Sequence, residues 1–205
     1  MTTDSRTTIV PEQDSGPASL VERFAERAGA LGVRVHRVAG PDEVAVLVAG
    51  LVERPAEERV VVAPGLAASQ PALAVRLQAH ELMLGGVDLA DPAGSFARVA
   101  VGVSAAVLGL AETGSLVVAD ALPDRLVRML SPKHVVVLGA AWVVPGLDEA
   151  GAFLRQAMVA AEGAPARYVS FITGPSRTAD IEMSLTVGAH GPAELHVALL
   201  GAAPP

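Results

Sequence analysis

The amino-acid sequence predicts an α/β protein, a single domain whose mostly parallel sheet is flanked by helices. Short runs rich in Val, Leu and Ile alternate with helix-period segments along the chain, which is the pattern of strands joined by crossover helices. Runs such as "RVVVAP" are apolar after their first residue, as a strand buried on both faces requires. Apolar residues make up 51% of the 205 positions, with 3% aromatic and 18% charged, a composition suited to packed strands and Ala-rich helices rather than disorder.

Residues 1–17 mix Thr, Ser, Asp, Gly and Pro without apolar periodicity and read as a flexible arm, which leaves 18–205 as one domain. "SLVERFAERAGALG" then places Leu20, Val21, Phe24, Ala28 and Leu31 on one helical face, and Gly32 closes the helix. "VRVHRV", Val33 to Val38, alternates as a half-buried strand does. Pro41 opens a helix over "PDEVAVLVAGLVER", and Arg59 to Pro64 reads as a buried parallel strand. A helix from Pro71 to about His80 leads into the loop "GGVDLADPAG".

The long apolar stretch from Val99 to Ala119 is interrupted by glycines, serines, Glu112 and Thr113. It therefore falls short of the roughly 18 to 20 uninterrupted apolar residues of a membrane helix. Beyond it come a helix at "LPDRLVRMLSP", a strand at "KHVVVLG", a helix at "GLDEAGAFLRQAMVAA", and strands at "RYVSFIT" and "ELHVALL". Neither an internal repeat nor a second domain is visible.

Composition narrows function. The 0 cysteines exclude disulfides, zinc–thiolate sites and cysteine-ligated iron–sulfur clusters in this chain. A net charge of −7 opposes a general nucleic-acid or anionic-membrane surface. Of the 15 cationic residues, 14 are Arg, which leaves room for a local anion pocket built on bidentate guanidinium groups. The polar, acid-containing N-terminus lacks the basic start and apolar centre of a secretory signal, so the expected location is the cytoplasm.

Three polar stretches interrupt this apolar chain. In "FITGPSRTADIE", Phe171 to Glu182, a strand runs into Gly174 and Pro175, followed by Ser176, Arg177, Thr178, Asp180 and Glu182. One reading is an anion site at the carboxyl edge of the sheet, where Gly174 permits close backbone approach and a following helix aims N–H groups at the ligand. The other is a helix cap, with Ser176 or Thr178 capping, Asp180 and Glu182 complementing the first turn, and Arg177 in a surface ion pair. Asp180 and Glu182 share a face only if the segment is extended. Their spacing, even with His190, does not define a metal site, and none is expected.

"GAHGP", Gly188 to Pro192, brackets His190 with glycines, so the imidazole either reaches across a cleft as a proton donor or bonds a turn carbonyl. "LAETGSL", Leu110 to Leu116, sets Glu112 in an apolar run before Thr113, Gly114 and Ser115. That carboxylate is either the partner of a buried Arg or a group adapted for acid, base or nucleophile work. His36, His80, His134 and His196 read as structural or exposed. No phosphate-binding P-loop or dinucleotide fingerprint is present.

Taken together, "ETGS" at 112–115, "GPSRTADIE" at 174–182 and "GAHGP" at 188–192 resemble the lactate-utilisation protein C family, whose shared module is the LUD domain. The resemblance covers about residues 40–200. It implies a fold similar to the ribose-5-phosphate isomerase, glucosamine-6-phosphate deaminase and CoA-transferase superfamily. It also implies a non-redox role in a system that oxidises L-lactate to pyruvate, with iron–sulfur clusters in partner subunits and no cofactor in this chain.

On that resemblance Glu112 and His190 are the catalytic candidates. Thr113, Gly114, Ser115, Gly174, Pro175, Ser176, Arg177, Thr178, Asp180, Glu182 and Gly191 are candidates for binding a small carboxylate or phosphorylated ligand, and the motif extends to Pro192. Arg177 pairs with the ligand carboxylate in this reading. The alternative is a stand-alone enzyme acting on a sugar phosphate or acyl-CoA, with Glu112 as base or nucleophile. A purely scaffolding role and a homo-oligomer both stay open.

Overall fold

The first expected helix forms as α1, Leu20–Ala30, and its start is set by sequence. The Ser19 hydroxyl accepts from the Glu22 N–H while the Glu22 carboxylate accepts from the Ser19 N–H, satisfying two donors that a helix end otherwise leaves unpaired. The computed structural model describes residues 19–80, 82–159, 168–179, 185–187 and 191–201. The arm expected at 1–17 lies outside them.

β1 (Arg34–Val38), α2 (Pro41–Leu51) and β2 (Arg59–Val62) follow in the expected order. α3 (Pro64–Ser69) and α4 (Pro71–Ala79) come next, each with proline in its first turn, where the missing N–H costs nothing. The chain continues through β3 (Met83–Gly85), α5 (Pro92–Ser95), β4 (Val99–Ala105), β5 (Leu108–Leu110), β6 (Ser115–Asp120), α6 (Leu122–Leu130) and β7 (Lys133–Gly139). After it lie β8 (Val143–Val144), α7 (Leu147–Val159), β9 (Tyr168–Ile172), β10 (Arg177–Ala179), β11 (Leu185–Val187) and β12 (Glu194–Leu200).

Six strands make one sheet in the order β1-β12-β7-β4-β2-β3, with every neighbouring pair parallel. A second sheet runs β8-β5-β6-β9 and is antiparallel apart from the β5–β8 pair. The period-2 alternation of β7 divides the core. Val135 and Val137 pack with Val44 and Val48 of α2 and Leu73 and Leu77 of α4, while Val136 and Leu138 pack with Phe24 and Ala28 of α1 and Leu116 of β6. Leu108, Leu110 and Val117 of the second sheet meet Ala150 of α7. At about 25 cal/mol per Å² of apolar surface, each of these fully buried Val and Leu side chains contributes about 1.5–3 kcal/mol. α6 lies over β4 at Gly102, where a side chain would collide with Ser131 and Val127.

Several short elements depart from the sequence reading. α3 begins at the last residue of an expected strand and covers residues for which no element was expected, β3 ends at the first residue of the expected loop around 85–94, and α5 lies at that loop's end. Three- and four-residue elements are too short to display a hydrophobic period, and β3 exists because the edge of β2 pairs with it. The helix expected after Gly174 is instead β10, paired antiparallel with β11. The run from Val99 to Ala119 divides into three strands belonging to two sheets.

His134, read as structural or exposed, is the second residue of β7 and 1% exposed, with Nε2 2.8 Å from the Ser104 hydroxyl. Burial, then the nearby Arg128 cation, pushes its pKa down to about 3. The unfolded chain takes up this proton below pH 6.5 and the folded chain resists until about pH 3, so stability is present above pH 6.5 and is lost as pH falls. Urea titrations between pH 6 and pH 4.5 are expected to show a loss of up to about 1.4 kcal/mol per pH unit from this group. His134→Gln, which still offers Ser104 a partner, is expected to reduce that slope.

Candidate anion-binding cleft

The polar stretches meet at the amino edge of the main sheet. β9 ends at Ile172, opposite Leu116 near the start of β6, so the "TGPS" loop arrives beside the "ETGS" turn. A hydroxyl chain joins them: Thr113 Oγ1 donates to Ser115 Oγ at 2.8 Å, and Ser115 Oγ lies 2.8 Å from Thr173 Oγ1. The Ser176 N–H donates to the Pro192 carbonyl at 2.9 Å, and Gly191 leaves the space that the Ser176 side chain fills. Each of the three motif stretches thus contributes to one junction.

Two glycines make the junction possible. Gly114 has φ +70°, and a side chain there would strike the α1 backbone at Arg27 and Ala28. Gly174 has φ +98° and comes close to the Leu31 carbonyl just past α1. Both positions combine a left-handed conformation with close backbone approach, which only glycine tolerates.

Beside the junction lies a cleft of about 320 Å³ lined by Arg125 and Arg128 of α6, His134 of β7, Ser170 to Ile172 of β9, the loop Thr173 to Ser176, and Gly191 and Pro192. Because His134 and Leu195 stand at the amino ends of β7 and β12, this cleft is at the opposite edge from the carboxyl ends expected for the loop. The reason is topological: β9 belongs to the second sheet and runs antiparallel to β6.

The cleft is cationic. Arg128 donates through Nε to Asp120 Oδ2 at 2.5 Å and through a terminal nitrogen to Ser170 Oγ at 3.0 Å. Arg125 sits 4.8 Å above the Tyr168 ring, a cation–π placement that keeps the guanidinium at the rim. His134, with its lowered proton affinity, is neutral near pH 7. It is thus poorly matched to proton exchange near neutral pH. The described groups suit binding and orienting an anion.

The sequence-derived candidates divide accordingly. Gly174, Pro175, Ser176 and Gly191 line the cleft, while Thr113 and Ser115 reach it only through the hydroxyl chain to Thr173 and Gly114 packs against α1. Glu112 faces elsewhere: it is exposed, its N–H donates to the Pro145 carbonyl, and its carboxylate lies against Gly146 at the start of α7. Arg177, expected to hold a ligand, instead donates to the Leu31 carbonyl at 2.6 Å, where a cation complements the C-terminus of α1. Thr178 lies in β10. Asp180, Glu182 and His190 are outside the described residues, and among the described residues no group of three or more His, Asp or Glu stands together as a metal site.

Arg125 and Arg128 were not singled out from the sequence. Their signal was present, two arginines three apart on one face of an amphipathic helix.

The fold and cleft define an α/β protein with an arginine-lined crevice where its six-stranded and four-stranded sheets meet. The chain belongs to the LUD domain family, whose profile matches residues 21–200. It is 38% identical over 99 residues to "Lactate utilization protein C 1" of Bacillus mycoides, covering 47% of this chain and 42% of that protein. Against "Lactate utilization protein C" of Bacillus subtilis it is 34% identical over 93 residues, covering 45% and 38% respectively. The matched region spans about two fifths of these relatives. A solved structure of a DUF162 family protein from Deinococcus radiodurans superposes with a TM-score of 0.60 at 21% identity, covering 89% of this chain and 96% of the other, a likeness of fold. Among the described residues no helix is long and apolar enough to cross a membrane.

Arg177→Ala is expected to act as a helix-terminus substitution, lowering stability by about 0.3–1 kcal/mol in chemical denaturation while leaving anion affinity in the cleft intact. Gly114→Ala, forced into a left-handed conformation against α1, is expected to cost more than about 2 kcal/mol by the same measurement.

Proposed function

We propose that this chain acts in lactate utilisation as a non-redox subunit whose cleft binds the carboxylate of a small organic acid, lactate or its oxidation product. The observation that carries this reading is the pairing of Arg125 and Arg128 with the Thr173–Ser176 loop in a cleft of about 320 Å³. A guanidinium presents a planar fork that matches a carboxylate, and the loop hydroxyls can satisfy the substrate hydroxyl or keto oxygen. Membership of the LUD family and the names of the Bacillus relatives point to the same metabolism.

Redox chemistry in this reading belongs to partner subunits that carry iron–sulfur clusters, because a chain with 0 cysteines offers no thiolate to hold one. The cleft's task is to hold and orient the acid. The competing reading, a free-standing enzyme with Glu112 as base, is weakened because Glu112 lies against Gly146 and away from the cleft.

Expression of this chain in a bacterium deleted for its own lactate utilization protein C is expected to restore growth on L-lactate. Arg125→Ala, at the rim, is expected to weaken lactate or pyruvate binding about tenfold in calorimetry, the share of one charge-assisted hydrogen bond. Lactamide, which lacks the charge, is expected not to bind. Absence of rescue by the unaltered chain, together with equal affinity for lactate and lactamide, would overturn the proposal.

A further inference from the structure

A second cavity lies at the opposite edge of the main sheet. It measures about 570 Å³ and is bounded by Gly65 and Ser69 of α3, Ser104 and Ala105 at the end of β4, and Asp120 and Asp124 where β6 passes into α6. Its position follows from topology. From β2 the chain moves outward to β3 and then returns to the other side of β2 as β4, so the crossovers diverge between β2 and β4. In open parallel sheets the crevice outside the carboxyl ends at such a divergence is where ligands sit. The volume is that of a small-molecule site.

The polar lining has one character. Asp124 accepts the Gly65 N–H at 2.7 Å through Oδ1, and the Ser69 hydroxyl donates to the Leu66 carbonyl, which leaves its oxygen as an acceptor. Asp120 has a side chain about nine-tenths buried, with Oδ2 held by Arg128. Its Oδ1 is buried without a hydrogen-bond partner. A buried carboxylate oxygen left unpaired is unfavourable, so a donor supplied there is favourable. Among the described residues lining the cavity there is no Arg or Lys, and two carboxylates oppose an anion.

We propose that this cavity is a second binding site, for a small molecule that carries no negative charge and donates hydrogen bonds to Asp120 and Asp124 through hydroxyl or ammonium groups. The site is separate from the anion cleft yet adjoins it. Ser104 and Asp120 line the second cavity, their partners His134 and Arg128 line the first, and the pairs Ser104–His134 and Asp120–Arg128 form the wall between.

The test uses the full chain, isotopically labelled, titrated with D-ribose as a neutral polyol, putrescine as a diamine, and ribose 5-phosphate as the anionic counterpart. At least one of the first two is expected to shift the amides of Gly65, Ser69, Ala105 and Ala121 saturably, and which one does so distinguishes hydroxyl from ammonium recognition. Ribose 5-phosphate is expected to bind at these residues at least about tenfold more weakly than the better probe. Asp120→Asn is expected to weaken binding, and Ala68→Trp, at an exposed α3 position bordering the cavity, to abolish it with an unchanged melting temperature. Should Asp120→Asn fail to fold, Ala68→Trp decides. The proposal is overturned if neither donor probe moves those amides at tens of millimolar, if the phosphate ester binds as tightly, or if Ala68→Trp leaves binding intact.

Discussion

The ion pair between Arg128 and Asp120 joins the parts of this molecule that carry its chemistry. Arg128 lies in the last turn of α6 and Asp120 at the end of β6, with side chains 11% and 10% exposed. The same guanidinium reaches Ser170 on β9, so one side chain ties the helix over the main sheet to two strands of the second. Removing one member of a buried pair leaves an uncompensated charge and typically costs about 3–5 kcal/mol, although the intact pair contributes little net stability. The pair therefore fixes the arrangement of α6 and the second sheet more than it stabilises the fold.

Its position also sets the electrostatics. Arg128 adds to the desolvation of His134, keeping that imidazole neutral, and gives the amino-edge cleft positive character. Asp120 gives the carboxyl-edge cavity the reverse. One ion pair thus separates a cleft suited to anions from a cavity suited to hydrogen-bond donors. An anion bound to Arg128 competes with Asp120 for the guanidinium, so the two sites share a group even though their ligands differ in chemistry.

Much of the frame was legible in the sequence because long elements display their periods. α1 was marked by its apolar face, α2 by Pro41 at its start and α6 by its helix-period segment, and β7 and β12 by short apolar-rich runs. The motif loops were legible as glycine-bracketed polar stretches, but neither their meeting nor the edge at which they meet was. That edge depends on β9 pairing antiparallel with β6, a contact between residues about fifty apart in sequence that no local pattern encodes.

The roles of the charged residues were least legible. Arg177 looked like a ligand group because of its company in "GPSRT", yet it donates to the Leu31 carbonyl just beyond α1. Arg125 and Arg128 drew no reading from the sequence, and only packing reveals that their face borders a cleft. The proposed carboxylate site at Arg125, Arg128 and the Gly174–Ser176 loop is tested most directly by diffraction from crystals grown with saturating pyruvate. It predicts carboxylate density within about 2.7–3.2 Å of an Arg128 or Arg125 nitrogen, beside Ser176. Density for the acid against Glu112 or Arg177 instead, with the Arg128 cleft empty, would contradict it.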